Sequence, residues 1–322
     1  MKAITRTRYG SPDVLGFDDV DTPTPATGQV LVRVDAASVN RGDALEIRGW
    51  PLLARLSYGA RRPKRPVPGT DLAGTVVAVG DGVEGLSVGQ DVVGWGEGSF
   101  AELAVADAGA VRPRPAGLPA VEAAAVPTAA VAAHQAVHDA GRVAAGHRVL
   151  VLGASGAVGT FAVQLAAAEG ARVTAVAGAH HADRIRALGA DGVVDYRAED
   201  VTTHHGRYDV VVDTVGILPL GALTRTLTPT GTLVVVGSPN AHSLTGMGRF
   251  AGAAARSLVS RRRIVPLFSK PDAEALAAVL DRVAAGAVRP VVAATFDLSD
   301  AAQALRRVES GHAGGKVVLV AR

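Results

Sequence analysis

Over the first 120 residues apolar and polar positions change in short runs punctuated by glycine and proline; beyond them the period lengthens. Residues 30–36 and 72–79 are rich in β-branched side chains and bounded by glycine, and 89–94 and 100–105 follow at hairpin-like spacing. This part reads as strands joined by turns. Pro113, Pro115 and Pro119 mark a linker, because proline suits neither helix interiors nor central strands. The alanine-rich stretch 121–137 predicts a helix interrupted at Pro127. Strand-like runs at 148–152, 172–177, 192–195, 209–213 and 232–237 then alternate with helix formers. That alternation predicts an α/β protein with a parallel, doubly wound sheet and right-handed crossovers. Residues 273–285 form a final amphipathic helix, and 291–296 and 316–320 return to β character and are expected to rejoin the first part.

The most telling pattern is a junction. The apolar run 148–152 leads into Gly153, Ala154, Ser155, Gly156, Ala157, Val158 and Gly159, and 161–166 continues as a strong helix former. A strand, a glycine-rich turn and a helix N-terminus make a cradle for a pyrophosphate. Backbone N–H groups and the positive end of the helix dipole face the anion, and the glycines let the chain come close.

Composition narrows the field. A chain of 322 residues exceeds what one hydrophobic core usually covers, so two domains are expected. No apolar run approaches the roughly 20 residues that span a bilayer, and 1–6 lacks an apolar signal core, so a cytoplasmic protein without a membrane partner is expected. Cysteine is absent, which excludes disulfides, thiolate nucleophiles and Cys-ligated zinc. The net charge of +3 is small and dispersed, and gives no reason to expect a nucleic-acid partner. Only four of the 33 lysine and arginine residues are lysine, a bias that a GC-rich coding sequence explains. The basic runs 61–65 and 261–263 read as solvated surface, the first also suiting electrostatic steering of an anionic ligand. The pairs His180-His181 and His204-His205 do not read as metal sites, since adjacent loop histidines seldom converge on one ion.

A series of motifs spans nearly the whole chain. Tyr9-Gly10-Ser11-Pro12-Asp13-Val14-Leu15 is followed by Ala37-Ser38-Val39-Asn40-Arg41-Gly42-Asp43 and Pro68-Gly69-Thr70-Asp71-Leu72-Ala73-Gly74. The glycine turn comes next, then Tyr208-Asp209-Val210-Val211-Val212-Asp213-Thr214-Val215-Gly216, and Gly311-His312-Ala313-Gly314-Gly315-Lys316-Val317-Val318-Leu319 closes the series. In this order they resemble the zinc-independent medium-chain dehydrogenase/reductase superfamily, in its quinone oxidoreductase (zeta-crystallin-like) branch. The resemblance implies a GroES-like, β-rich, substrate-side domain over 1–122 and 288–322, a Rossmann NAD(P)-binding domain over 123–287, and a small-molecule substrate in the cleft between them. It also implies a homodimer formed by edge-to-edge pairing of Rossmann sheets, for which Arg263-Ile264-Val265-Pro266 is the candidate edge strand.

Zinc-dependent relatives bind their catalytic metal with Cys, His and Cys. The matching positions here are Asn40, Thr70 and Thr128, whose neutral amide and hydroxyl groups are poor ligands, so no zinc is expected. Without a Lewis acid an isolated ketone is a difficult acceptor, because its reduction builds a localised alkoxide. A quinone or α,β-unsaturated carbonyl spreads the charge itself. The expectation is therefore metal-free hydride transfer to such an acceptor, with Asn40 as hydrogen-bond donor and the proton coming from solvent or Tyr58. Trp50, Thr70 and Thr128 are candidate pocket residues. Structural readings stand beside these: Asn40 as the cap of a following helix, Thr70 and Asp71 as turn residues, Thr128 as a helix start, Trp50 and Tyr58 as space-fillers.

The strand 172–177 ends in Gly178-Ala179-His180-His181 instead of the acid that holds an NAD ribose, and the nearest acid, Asp183, lies inside the next helix. His180 and Arg184 suit a 2′-phosphate, and by resemblance Tyr196 lies beside it. NADPH is the expected cofactor. The family usually places Ser at 178 and Lys or Arg at 180, so NADH use stays open. By resemblance Val215 and Gly216 line the adenosine half, and Gly237, Ser238, Leu267 and Phe268 lie near the nicotinamide. Lys316 reads either as a ribose contact or as an ordinary strand start. Other readings are an enoyl-thioester reductase, a metal-free alcohol dehydrogenase, and a non-catalytic NADPH-binding sensor or structural protein.

Overall fold

The computed structural model describes residues 1–237 and 245–321, with every side chain among them except that of Val259. Contacts divide the chain into two compact units. One comprises Met1–Thr128, Pro271–Gly286 and Pro290–Arg322, the other Ala129–Lys270 and Ala287–Arg289.

The first unit holds strands β1 (Lys2–Thr5), β2 (Gly16–Asp19), β3 (Gln29–Val39), β4 (Asp71–Val79), β5 (Asp91–Trp95), β6 (Leu103–Asp107) and β7 (Val111–Pro113). The second holds β8 (Arg148–Leu152), β9 (Arg172–Ala177), β10 (Gly192–Asp195), β11 (Tyr208–Asp213), β12 (Leu227–Val235) and β13 (Arg263–Pro266). The chain then returns to the first unit with β14 (Val292–Asp297) and β15 (Lys316–Val320), as the β character of the tail predicts.

In the first unit the main sheet runs β14-β15-β3-β4-β5-β7, with β6 also on β3, and β1 and β2 form a separate two-stranded sheet. Its core gathers Val30, Val32, Val76, Phe100, Leu305 and Leu319, among others. The long β3 delivers Ser38 and Asn40 to one end of this sheet. There β15 runs antiparallel, Val317 opposite Val39, and β4 begins at Asp71 opposite Ser38. Strand starts and ends distant in sequence therefore meet at one point.

Helix Arg41–Arg48 follows at once. Asn40 is its N-cap in extended conformation, the Asp43 carboxylate accepts the Asn40 backbone N–H at 2.7 Å, and Gly49 closes the helix at φ +69°. The closing position takes glycine without the Cβ strain of the left-handed region. Helix Ala273–Ala284 packs on β7 and groups with the first unit, whereas the expected division at 287/288 placed it with the Rossmann segment.

The second unit is a six-stranded sheet in the order β10-β9-β8-β11-β12-β13, parallel throughout. Buried on both faces, its strands are nearly continuous apolar runs, with Leu150, Val176, Val211, Leu233 and Ile264 in the core. Arg263–Pro266 is one of its two edge strands, β10 being the other. The helix expected over 121–137 is divided into Ala120–Ala124 and Pro127–His134, continued by a π-helical stretch Gln135–Ala140. The strand expected at 232–237 begins earlier, at Leu227.

Candidate active site

In the first unit the start of β4, the end of β3, the start of β15 and Thr128 converge on one carboxylate. Asp71 has no solvent exposure. Its Oδ2 accepts from Ser38 Oγ at 2.8 Å, from Asn40 Nδ2 at 2.9 Å and from the Lys316 ammonium at 3.3 Å. Its Oδ1 accepts from Thr128 Oγ1 at 2.5 Å, and Trp95 Nε1 donates to that hydroxyl at 3.1 Å. Lys316, 1% exposed, also donates to Asn40 Oδ1 at 2.7 Å. Buried charges are tolerated when paired and hydrogen-bonded, as here.

This network fixes the Asn40 carboxamide. An ammonium only donates and a carboxylate only accepts, so Oδ1 must face Lys316 and Nδ2 must face Asp71. One Nδ2 hydrogen is thereby spent on Asp71. The other has no protein acceptor among the described residues, on a side chain that is only partly buried. The arrangement presents one oriented neutral donor. Asn40 is N-cap and donor at once, so the two readings of it coincide.

Asp43, 4% exposed, lies one helical turn on. Burial pushes its carboxyl up from 3.8 to about 7; the Asp71 and Glu46 charges add to the rise, while the Asn40 N–H and Lys316 oppose it. Tyr58, in helix Arg55–Tyr58, is 38% exposed. Burial raises its phenol, the Glu46 and Asp43 charges adding and Arg6 opposing, which places it within electrostatic reach of the cap of helix Arg41–Arg48. Trp50 follows that helix, its N–H bonded to the Leu45 carbonyl. Thr70 is half-buried beside Asp71, and its carbonyl accepts from Gly96 N–H.

In the second unit Gly153 leaves β8 at φ +74°, where a Cβ would also run into Val215. Helix Ala157–Ala168 starts behind Gly156, and a Cβ on Gly159 would strike the Gly153 carbonyl. Ala154 is fully buried and its N–H bonds the Val176 carbonyl. This leaves Ser155 and the first helical residues, Ala157 and Val158, around the helix N-terminus. The cradle suits a pyrophosphate, because turn and helix approach so closely that no side chain fits between them.

At the end of β11, Asp213 Oδ1 accepts the N–H groups of Val215 at 3.2 Å and Gly216 at 2.8 Å, and its Oδ2 pairs with Arg249 at 2.5 Å. Gly237 donates to the Asp213 carbonyl, and a Cβ there would strike the Thr214 carbonyl. Leu267 donates to the Val235 carbonyl, and the Phe268 ring stacks on Phe250 at 4.3 Å between centroids. Ser238 lies outside the described residues.

At the end of β9 a Cβ on Gly178 would lie 3.1 Å from Arg197 Nη1 and 3.2 Å from His180 Nδ1. The Arg197 guanidinium also lies over the Tyr196 ring, 5.0 Å from its centroid. Arg184 instead reaches toward His181, Nη2 to Nδ1 at 3.3 Å, and burial pushes the His181 imidazole down, with Arg184 and His180 acting in the same sense. Of the three residues expected around a 2′-phosphate, His180 and Tyr196 thus gather with Arg197, while Arg184 turns toward His181. Lys316, expected as a ribose contact or strand start, does begin β15 and holds Asn40 and Asp71. Asp71, Asp43, Ser38, Trp95 and Arg197 went unread as site residues; a basic residue directly after Tyr196 was the available signal for Arg197.

Comparisons with known proteins place the chain in a family. Residues 26–116 match the alcohol dehydrogenase GroES-like domain, and 188–319 match a family described as zinc-binding dehydrogenase. A chloroplast envelope quinone oxidoreductase homolog of Arabidopsis thaliana is 33% identical, covering 99% of this chain and 98% of the relative. A mitochondrial NAD(P)H oxidoreductase of Homo sapiens is 30% identical over 99% of this chain and 89% of its own length. The quinone oxidoreductase structure from Coxiella burnetii superposes with a TM-score of 0.88 at 29% identity, covering 100% of this chain and 99% of that one. The chain belongs to the medium-chain dehydrogenase/reductase superfamily, in its quinone oxidoreductase branch.

Zinc, named in one matched description, does not fit the residues present. Asn40 Oδ1 is occupied by an ammonium, the Thr128 hydroxyl donates to Asp71, and the Lys316 charge would repel a cation. Among the described residues no group of three His, Asp or Glu side chains gathers as a metal site. No helix of the described residues is long and apolar enough to cross a membrane.

Proposed function

We propose that this chain is an NADPH-dependent reductase that delivers hydride to a quinone or an α,β-unsaturated carbonyl without a metal. The observation that carries the reading is the Asn40 carboxamide, held by Lys316 and Asp71 so that one N–H is left to donate. An oriented neutral donor is sufficient for an oxyanion that the acceptor itself delocalises, and weak for a localised alkoxide. When bound, the nicotinamide supplies the hydride. Asn40 binds the acceptor carbonyl oxygen and stabilises the charge that develops there. Tyr58, a partly exposed phenol, delivers or relays the proton to the reduced product. Trp50, Thr70 and Thr128 shape the acceptor side, Thr128 by bracing Asp71.

Gly153, Gly156 and Gly159 hold the pyrophosphate. His180, Tyr196 and Arg197 favour NADPH over NADH, because a cationic rim around Gly178 attracts a 2′-phosphate. A cytoplasmic homodimer paired along β13, one of the two edge strands of the parallel sheet, belongs to the same reading.

The test is NADPH oxidation with 1,4-naphthoquinone and a simple enone, beside a crotonyl thioester, with NADP+ reduction by a primary alcohol as the control for alcohol oxidation. Turnover with the first two, unaffected by a chelator, is expected. Asn40→Ala should lower kcat by about 100-fold while leaving the NADPH dissociation constant within about twofold. Unchanged turnover in that variant would remove Asn40 from the mechanism. NADPH binding with no acceptor reduced would favour a non-catalytic binder.

A further inference from the structure

We infer that Lys316 is a positioning and polarising residue for Asn40, and that its buried ammonium is the fixed positive charge which stands here in place of a metal. The inference rests on the reductase reading and assigns the cation behind it. Three positions that match metal ligands in zinc-dependent relatives, Asn40, Thr70 and Thr128, all meet Asp71: two by side-chain hydrogen bonds and Thr70 as its chain neighbour. Into that same cluster β15 delivers an ammonium with 1% exposure. It donates to one acceptor on each side, Asn40 Oδ1 at 2.7 Å and Asp71 Oδ2 at 3.3 Å.

The ammonium does two things for the amide. It removes the choice of orientation, because a flipped Asn40 would aim NH2 at the ammonium and an oxygen at the carboxylate. It also draws electron density toward Oδ1, which strengthens the remaining Nδ2–H as a donor, as one hydrogen bond in a chain polarises the next. The charge reaches an acceptor oxygen through the amide and never touches it. This suits a delocalised oxyanion, which needs a field more than a ligand. Asp71 keeps the ammonium from advancing, and Ser38 and Thr128 keep Asp71 in place.

The experiment is a double-variant cycle on the full chain with 1,4-naphthoquinone as acceptor, measuring kcat, KM and NADPH affinity by fluorescence. Lys316→Met should lower kcat by about 10- to 100-fold, with KM and the NADPH dissociation constant each changing by less than about threefold. Lys316→Arg should recover at least about tenfold of that loss, since its fork can still donate to both partners. In an Asn40→Ala background, Lys316→Met should cost less than about threefold more, because a residue acting through Asn40 has nothing left to act on. Effects that multiply, or Lys316→Met within twofold of the parent, would overturn the inference. Should Lys316→Met fail to fold with Asp71 left unpaired, Lys316→Met/Asp71→Asn is compared with Asp71→Asn alone, and a difference of less than about twofold between them would overturn the inference. An unsubstituted enzyme that reduces no acceptor overturns the reductase reading and this inference together; normal turnover indifferent to Lys316 overturns this inference alone.

Discussion

Replacing Asp43 by asparagine should stabilise the first unit increasingly as pH rises from 3.8 to about 7 and leave it unchanged below 3.8. Asp43 sits in the first turn of helix Arg41–Arg48 with 4% exposure, and its Oδ2 accepts the Asn40 N–H at 2.7 Å. Asparagine keeps that acceptor and removes the charge. In the unfolded chain the carboxyl ionises near 3.8; burial raises this to about 7 in the folded protein. Between those values the folded state holds a proton that the unfolded state has released. Its contribution to stability is therefore complete below 3.8 and is lost as pH rises through 7.

Each pH unit in that window costs about 1.4 kcal/mol, or about 4 kcal/mol across it. The variant has no such slope. Both tryptophans, Trp50 and Trp95, lie in the first unit, so urea unfolding followed by tryptophan fluorescence reports on that unit. The stability difference between variant and parent should grow by about 1.4 kcal/mol per unit from pH 5 to 7 and level off above. A difference constant within about 0.5 kcal/mol from pH 5 to 8 would refute the account, and with it the claim that burial dominates at Asp43.

Two further predictions concern the second unit. Gly159→Val should weaken NADPH binding by more than about tenfold and lower the melting temperature, because any Cβ there meets the Gly153 carbonyl; unaltered affinity by fluorescence titration would show that turn and helix need not approach so closely. Arg197→Ala should weaken NADPH by about tenfold, the worth of one charge-assisted hydrogen bond, and leave NADH nearly unchanged. Equal losses for both cofactors by the same titration would remove Arg197 from 2′-phosphate recognition.

Much of this molecule was legible in the order of its residues. The runs at 148–152 and 316–320 are strands with those bounds, and the glycine turn lies between β8 and a helix as its flanks require. Local periodicity carries such features, since each depends on neighbours a few positions away. Asp71 was not legible as a hub. It looked like a turn residue because its partners lie 31, 57 and 245 positions distant: the antiparallel register of β15, β3 and β4 brings Asn40 and Lys316 to it, and the start of helix Pro127–His134 brings Thr128. Lys316 was legible as a strand start but not as a partner of Asn40 and Asp71, for the same reason: only the placement of β15 directs it to a carboxylate and an amide. Arg184 was expected beside the 2′-phosphate, whereas the guanidinium at Gly178 is that of Arg197, just beyond the next strand's exit.

The charge balance of the cluster ties its stability to its chemistry. Lys316 brings one positive charge, and Asp71 and Asp43 between them bring two carboxyls, all 4% exposed or less. The group is neutral only while one carboxyl keeps its proton. Asp71 accepts from Ser38, Asn40, Thr128 and Lys316, whereas Asp43 has a single backbone donor, so the proton belongs on Asp43. Hydrogen bonds to the charged form favour it, and desolvation without them does not. Losing that proton near neutral pH places an uncompensated negative charge one turn from Asn40, where an acceptor's oxyanion would form. A protonated Asp43 thus suits hydride delivery as well as folding, and the Asp43→Asn variant, which fixes the neutral form, should keep its turnover at pH 8 where the parent's declines. If both enzymes lose kcat in parallel between pH 7 and 8, the charge beside Asn40 has no hold on the reaction.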